Sequence, residues 1–138
     1  MAELRSLKDI YESAIAAFKE AITVWARDTD RYRFELTDAY YHMAIAKSAL
    51  GSLKRDESLL DEAREVLTLA RNLCEGERQE HKNNRAYIDH ALGNTYIRKS
   101  RLLSEKGQRI DALSAAISLY EKTISHWSSP TEVVRLLV

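Results

Sequence analysis

Proline and glycine are scarce in this chain. One Pro and four Gly among 138 residues make five strong backbone breakers, about 4 per cent where ordinary usage gives roughly 12 per cent. A β-sandwich or barrel needs a turn every ~8–12 residues, which five breakers cannot supply. Cysteine is nearly absent as well. Cys74 stands alone, so no intrachain disulfide can form and a reducing compartment fits best. Neither sign of charge is in excess: Lys+Arg and Asp+Glu both number 21. A global field favouring nucleic acid or an acidic membrane is therefore missing. Long apolar runs are missing too. Ala14-Ile15-Ala16-Ala17-Phe18 ends at Lys19, far short of the ~18 residues of a membrane span. The opening residues, from Met1 to Lys8, carry charges where a signal peptide needs an apolar stretch. No membrane contact and a cytoplasmic location are expected.

What remains is a chain 45 per cent apolar and 30 per cent charged, which matches neither disorder nor a fibrous repeat. It reads as one all-α domain over residues 1–138, with about six helices. Leu7, Tyr11, Ala14, Phe18, Ala21, Ile22 and Trp25 follow the i, i+3, i+4, i+7 rule and place the first helix over 7–26. The second spans 30–50, with Gly51 as its stop. It is apolar on two faces, Leu36, Tyr40, Met43, Ala44 and Leu50 on one and Tyr41, Ile45 and Ala49 on the other. Such a helix packs between neighbours. Acidic residues at Asp56-Glu57 open a third helix over 57–75. A fourth covers 78–106 and ends at Gly107; a fifth covers 108–127. Ser129-Pro130-Thr131-Glu132 combines an N-cap, an N1 proline and an N3 glutamate, and starts a sixth over 130–137.

The odd-numbered helices repeat. Ala14-x3-Phe18-x2-Ala21 recurs as Ala63-x3-Leu67-x2-Ala70, 49 residues on, and again as Ala112-x3-Ala116-x2-Leu119. Shifting the third copy by four residues gives Ala116-x3-Tyr120-x2-Thr123 and aligns Ile22-x2-Trp25 with Ile124-x2-Trp127. Small residues at fixed offsets let helices approach closely, and a period near 50 means one helical hairpin per repeat. Helix four carries Leu92-Gly93-Asn94-Thr95-Tyr96, and Gly107-x4-Ala112 follows it.

These motifs resemble the tetratricopeptide (TPR) repeat, whose second arm carries Ala-x3-aromatic-x2-Ala and whose first arm carries Trp-x2-Leu-Gly-x2-Tyr. Asp89 stands where the family prefers Trp, and the period exceeds the family's ~34 residues. The resemblance implies antiparallel hairpins stacked as a short α-solenoid, with first arms lining a concave groove. Its groove positions on helix four are Tyr87, His90, Asn94, Ile97 and Arg98. Helical geometry groups the same residues with Arg101 opposite the core side Ile88, Ala91, Leu92, Thr95, Tyr96 and Leu102. Helix two faces them with Asp38, Tyr41, His42 and Ile45. One branch of the family clamps a peptide's C-terminal carboxylate, and His90-x3-Asn94-x3-Arg98 resembles one wall of that clamp. Asp38 on the other wall would repel a carboxylate.

Signals for catalysis are lacking. No two glycines are close enough for a phosphate loop, and no His-Glu-x-x-His or Glu-x-x-His occurs. The four histidines sit singly, and Cys74 lies near a helix C-terminus, where the macrodipole disfavours a thiolate. No enzyme, no metal and no cofactor are expected. The stretch from Arg98 to Arg109 is basic but has no interleaved aromatic, so RNA is not the expected partner. Val133, Val134, Leu136 and Leu137 in the sixth helix would need cover from a second copy, giving a homodimer, or from a longer repeat array. The expectation is a non-catalytic scaffold or adaptor. It binds a partner peptide or helix in a groove lined by Tyr41, Ile45, Tyr87, His90, Asn94, Ile97, Arg98 and Arg101. The alternative is a small helical assembly subunit building a homo-oligomer or a nucleoprotein particle.

Overall fold

A computed structural model describes residues 2–127, with side chains from residue 6 onward. Five α-helices make up the described residues: α1 (Ala2–Trp25), α2 (Arg33–Lys54), α3 (Glu57–Asn72), α4 (Gln79–Ser100) and α5 (Lys106–Trp127). A single 3-10 turn, Ala26–Asp28, follows α1. The chain is all-α there, as its shortage of breakers requires. The sixth helix expected over 130–137, and with it the apolar end, lies outside the described residues.

Each helix packs on the next in sequence, and α2 also touches α4. That explains why α2 is apolar on two faces: it meets α1, α3 and α4. One core joins Ile15 of α1, Met43, Ala44 and Leu50 of α2, Ala63, Leu67 and Ala70 of α3, and Ile88, Ala91 and Leu92 of α4. Ala63 and Ala70 of the second repeat copy are fully buried, whereas Ala14 and Ala21 of the first are only partly so. Residues of both registers of the third repeat copy are buried or packed inward: Ala112 and Ala116 are buried and Leu119 packs on the core. Ala116 is fully buried, Thr123 donates to the Ala86 carbonyl at 3.3 Å, and the Tyr120 ring covers Gly93.

Helix α2 does not stop at Gly51 but continues to Lys54. Arg55 takes the left-handed turn, with φ 53°. Its N–H donates to the Ser52 carbonyl, and that of Asp56 to the Gly51 carbonyl at 2.8 Å, a Schellman closure. Gly51 is instead a contact glycine. A Cβ there would lie 3.1 Å from Leu59 and Leu60 of α3. Asp56 then caps α3, accepting from the Ser58 and Leu59 N–H groups.

Helix α4, by contrast, is shorter than its expected span of 78–106. It ends at Ser100, whose hydroxyl donates to the Ile97 carbonyl at 2.6 Å. A short loop follows. The Glu105 carboxylate accepts from Gly107 and Gln108 N–H, both at 2.8 Å, and starts α5 two residues before the expected position 108. Gly107 therefore sits in the first turn of α5 rather than at the end of α4.

Candidate partner-binding cleft

Helices α2 and α4 run side by side in the same direction. Phe34 stacks on His81 with ring centroids 5.0 Å apart. Two turns on, Tyr41 and Tyr87 line one cavity. At the far end Arg98 donates to Ser48 Oγ at 2.9 Å. The groove between them holds two adjacent cavities that share Tyr41. The larger, about 640 Å³, lies between the N-terminal halves and is lined by Phe34, Glu35, Asp38, Tyr41, Glu80 and Tyr87 among others. The smaller, about 150 Å³, lies between the C-terminal halves, among Tyr41, Ile45, Ser48, His90, Asn94 and Arg98.

Six of the eight expected groove residues thus line these two adjacent cavities: Tyr41, Ile45, Tyr87, His90, Asn94 and Arg98. Ile97 and Arg101 line neither cavity. Arg101 caps the C-terminus of α4, its N–H donating to the Ile97 carbonyl at 3.4 Å, which places it beyond the end of the smaller cavity at Arg98. Nor is the basic stretch a single cationic face. Lys99 is committed to α3, 2.7 Å from Asp61 and 3.8 Å from Glu57.

The polar groups of the cleft are partly tied down. Asn94 accepts a hydrogen bond of 2.5 Å from the Tyr120 hydroxyl of α5. The Tyr120 ring also lies against His90, and Trp127 lies against Tyr87. Helix α5 therefore supports the α4 wall from behind. Arg98 is half-buried, held by Ser48, while Thr95 in turn contacts Ser48 at 3.3 Å. Among the described residues Arg98 has no carboxylate within ion-pair distance. Ile45 and Tyr87 are the exposed apolar parts of the cleft, at 39 and 50 per cent exposure. Burial, helped by Tyr87 and Asp38 nearby, pushes the Tyr41 hydroxyl above its ordinary pKa and keeps it a neutral donor.

Sequence reasoning placed Asp38, Tyr41 and Tyr87 on the facing walls but missed Phe34, Glu35 and Glu80, which complete the aromatic and acidic end of the cleft. Phe34, Asp38, Tyr41 and Ile45 fall on one stripe at i, i+4, i+7 and i+11. That stripe was the available signal, together with Glu80 and Asn84 two turns and one turn before Tyr87.

Other features are structural. Asp89, the departure from the TPR-like pattern, is buried and ion-paired with Arg71 of α3 at 3.1 Å. Cys74 is fully buried, its Sγ 3.3 Å from the Ala70 carbonyl, and burial pushes its thiol up. Arg85 donates to the Cys74 and Gly76 carbonyls and closes the α3–α4 connection. Among the described residues no group of three or more His, Cys, Asp or Glu side chains is placed to hold a metal ion. No described helix is long and apolar enough to cross a membrane. Comparison with protein-family models, with curated proteins and with solved structures finds no match.

Proposed function

We propose that this protein is a non-catalytic interaction scaffold that seats a peptide or helix of a partner protein between α2 and α4, as a TPR-like array would. The observation that carries the reading is the cleft itself. Two parallel helices present Tyr41, Ile45 and Tyr87 to solvent, flanked by His90, Asn94 and Arg98. Exposed aromatic and aliphatic groups beside directional polar groups are what a peptide-binding surface needs: apolar area for affinity and hydrogen bonds for register. The α2–α4 contact, with α3 packed against both, supports a solenoid-like stacking of first arms. The buried Gly93, covered by Tyr120, supports a hairpin of α4 and α5 at the family's small-residue position.

Affinity capture with three baits tests the reading. Wild type and Leu113→Glu, a change on α5 outside both cavities, should retain the same partner. Ile45→Glu should lose it while keeping its helix content and melting temperature. Equal capture by all three would overturn the cleft assignment.

A second reading has its own observation. Ile110, Leu113, Ile117 and Ile124 of α5 are 40 to 61 per cent exposed and follow one helical stripe. An apolar stripe of that kind is suited to self-association in a homo-oligomer. Light scattering on Leu113→Glu/Ile117→Glu tests it: wild type should be larger than the double variant, and two monomers would dismiss it.

A further inference from the structure

The two ends of the α2–α4 cleft differ in charge. The end between the N-terminal halves contains three carboxylates, Glu35, Asp38 and Glu80, set among the rings of Phe34, Tyr41 and Tyr87, and no Lys or Arg lines it. The chain offsets this charge only at the rim. Arg78 lies 3.5 Å from Glu80 and places its guanidinium 5.5 Å from the centre of the Phe34 ring. Asp38 reaches only His42, at 3.3 Å. Among the described residues Glu35 has no cation within ion-pair distance. The helix N-termini oppose a cation here, each carrying about half a positive charge. Glu35 and Asp38 bring two full negative charges, so the field inside the cleft stays negative.

We propose that this end of the cleft receives a lysine or arginine side chain of the partner segment, held between Tyr41 and Tyr87 and against Glu35 and Asp38. The proposal rests on the scaffold reading above and names the chemistry of its ligand. Arg78 is the internal precedent: a guanidinium already sits on an aromatic face beside a carboxylate at this rim. A cation over a ring face is attracted by the ring quadrupole, and the neighbouring carboxylates add charge pairing. The cavity, about 640 Å³, falls in the range of clefts that hold small organic ligands. It is far larger than a bare ion needs and fits a side chain with its adjoining backbone. Tyr87 is half-exposed and Tyr41 half-buried, so the entering side chain meets rings that are free on one side.

The test uses three capped pentapeptides, identical except for a central lysine, norleucine or glutamate, titrated into the 15N-labelled protein. The lysine peptide should shift the amide signals around Tyr41 and Tyr87. It should bind about tenfold more tightly than the norleucine peptide at low salt, the combined worth of exposed charge pairs and a cation–ring contact. The glutamate peptide should bind weakest. In the Glu35→Gln/Asp38→Asn variant the lysine advantage should shrink to about two- to threefold, the worth of an exposed cation–ring contact alone, while norleucine binding stays unchanged. Equal affinity for lysine and norleucine peptides within the cleft would overturn the cationic pocket and leave the scaffold reading standing. Shifts from every peptide confined to residues outside α2 and α4 would overturn both. No shift from millimolar lysine peptide would also overturn the cationic pocket.

Discussion

Replacing Gly93 by alanine turns the α4–α5 contact into a sign test. In an exposed helix interior this change stabilises by about 1 kcal/mol, because glycine gives up more backbone freedom on folding. Here a Cβ would lie 2.6 Å from Cε1 and 2.9 Å from Cδ1 of Tyr120. The ring must move, yet its hydroxyl is bonded to Asn94 at 2.5 Å and its face lies against His90. Overpacking of that kind costs about 1–3 kcal/mol. Loss of the exposed hydroxyl bond adds up to ~1 kcal/mol. The net expectation is a loss of about 0.5–2 kcal/mol, read by urea unfolding followed at 222 nm. In a Tyr120→Ala background the obstruction is gone, so the same change should stabilise by about 1 kcal/mol, its intrinsic helix preference. The coupling between the two sites is therefore about 1.5–3 kcal/mol. Stabilisation by Gly93→Ala in both backgrounds would refute the close approach of α5 to α4, and with it the hairpin geometry behind the cleft.

Further expectations concern the supports of the fold. Arg71→Ala should cost about 2–3 kcal/mol, because it leaves the Asp89 carboxylate buried without its cation; the figure is below that for a fully buried pair since water reaches Arg71. Arg55→Gly should stabilise by about 1 kcal/mol, relieving a non-glycine residue at φ 53°. Cys74 should resist thiol reagents at neutral pH until the protein unfolds, because burial both shields the thiol and disfavours its ionisation. Tyr41 and Tyr120 are raised chiefly by burial. Their contribution to stability is complete below pH 10, the ordinary value for the unfolded chain, and is lost as the pH climbs through the higher folded values. Absorbance at 295 nm should show part of the tyrosines ionising late, together with alkaline unfolding.

The number of helices within the described residues, and the faces that pack, were legible because amphipathic spacing is set by the same burial that builds the core. Leu36, Met43, Ala63, Leu67, Ile88 and Leu92 are buried as their spacing requires. Glycine was the ambiguous sign. A glycine that ends a helix and one that lets two helices touch look alike in a sequence. Gly51 proved to be the second kind, and the stop passed to Arg55, a residue with no turn preference to read. Gly107 misled for another reason: Glu105, an uncommon cap, fixes the start of α5 through its side chain.

Within the cleft, residues on the stripes of α2 and α4 were found by periodicity. What one helix could not show was the register of its neighbours. The bond from Tyr120 to Asn94 and the bond from Arg98 to Ser48 join positions 26 and 50 residues apart. They make Asn94 and Arg98 part of the framework, so Asn94→Ala and Arg98→Glu disturb stability as well as recognition. Ile45 is the cleaner probe, since Tyr87 also packs against Trp127 of α5. The acids Glu35 and Glu80 lie in first helical turns, where the macrodipole alone accounts for them. Their shared cavity appears only when α2 and α4 are side by side.

The central claim, that the α2–α4 cleft is the recognition surface, is tested most directly by selecting binders from a random peptide library and mapping them on the 15N-labelled protein. The account predicts shifts centred on Tyr41, Ile45, Tyr87 and His90, abolished by Ile45→Glu. Selected peptides that map to α1 or to the outer face of α5, with the cleft unmoved, would contradict it.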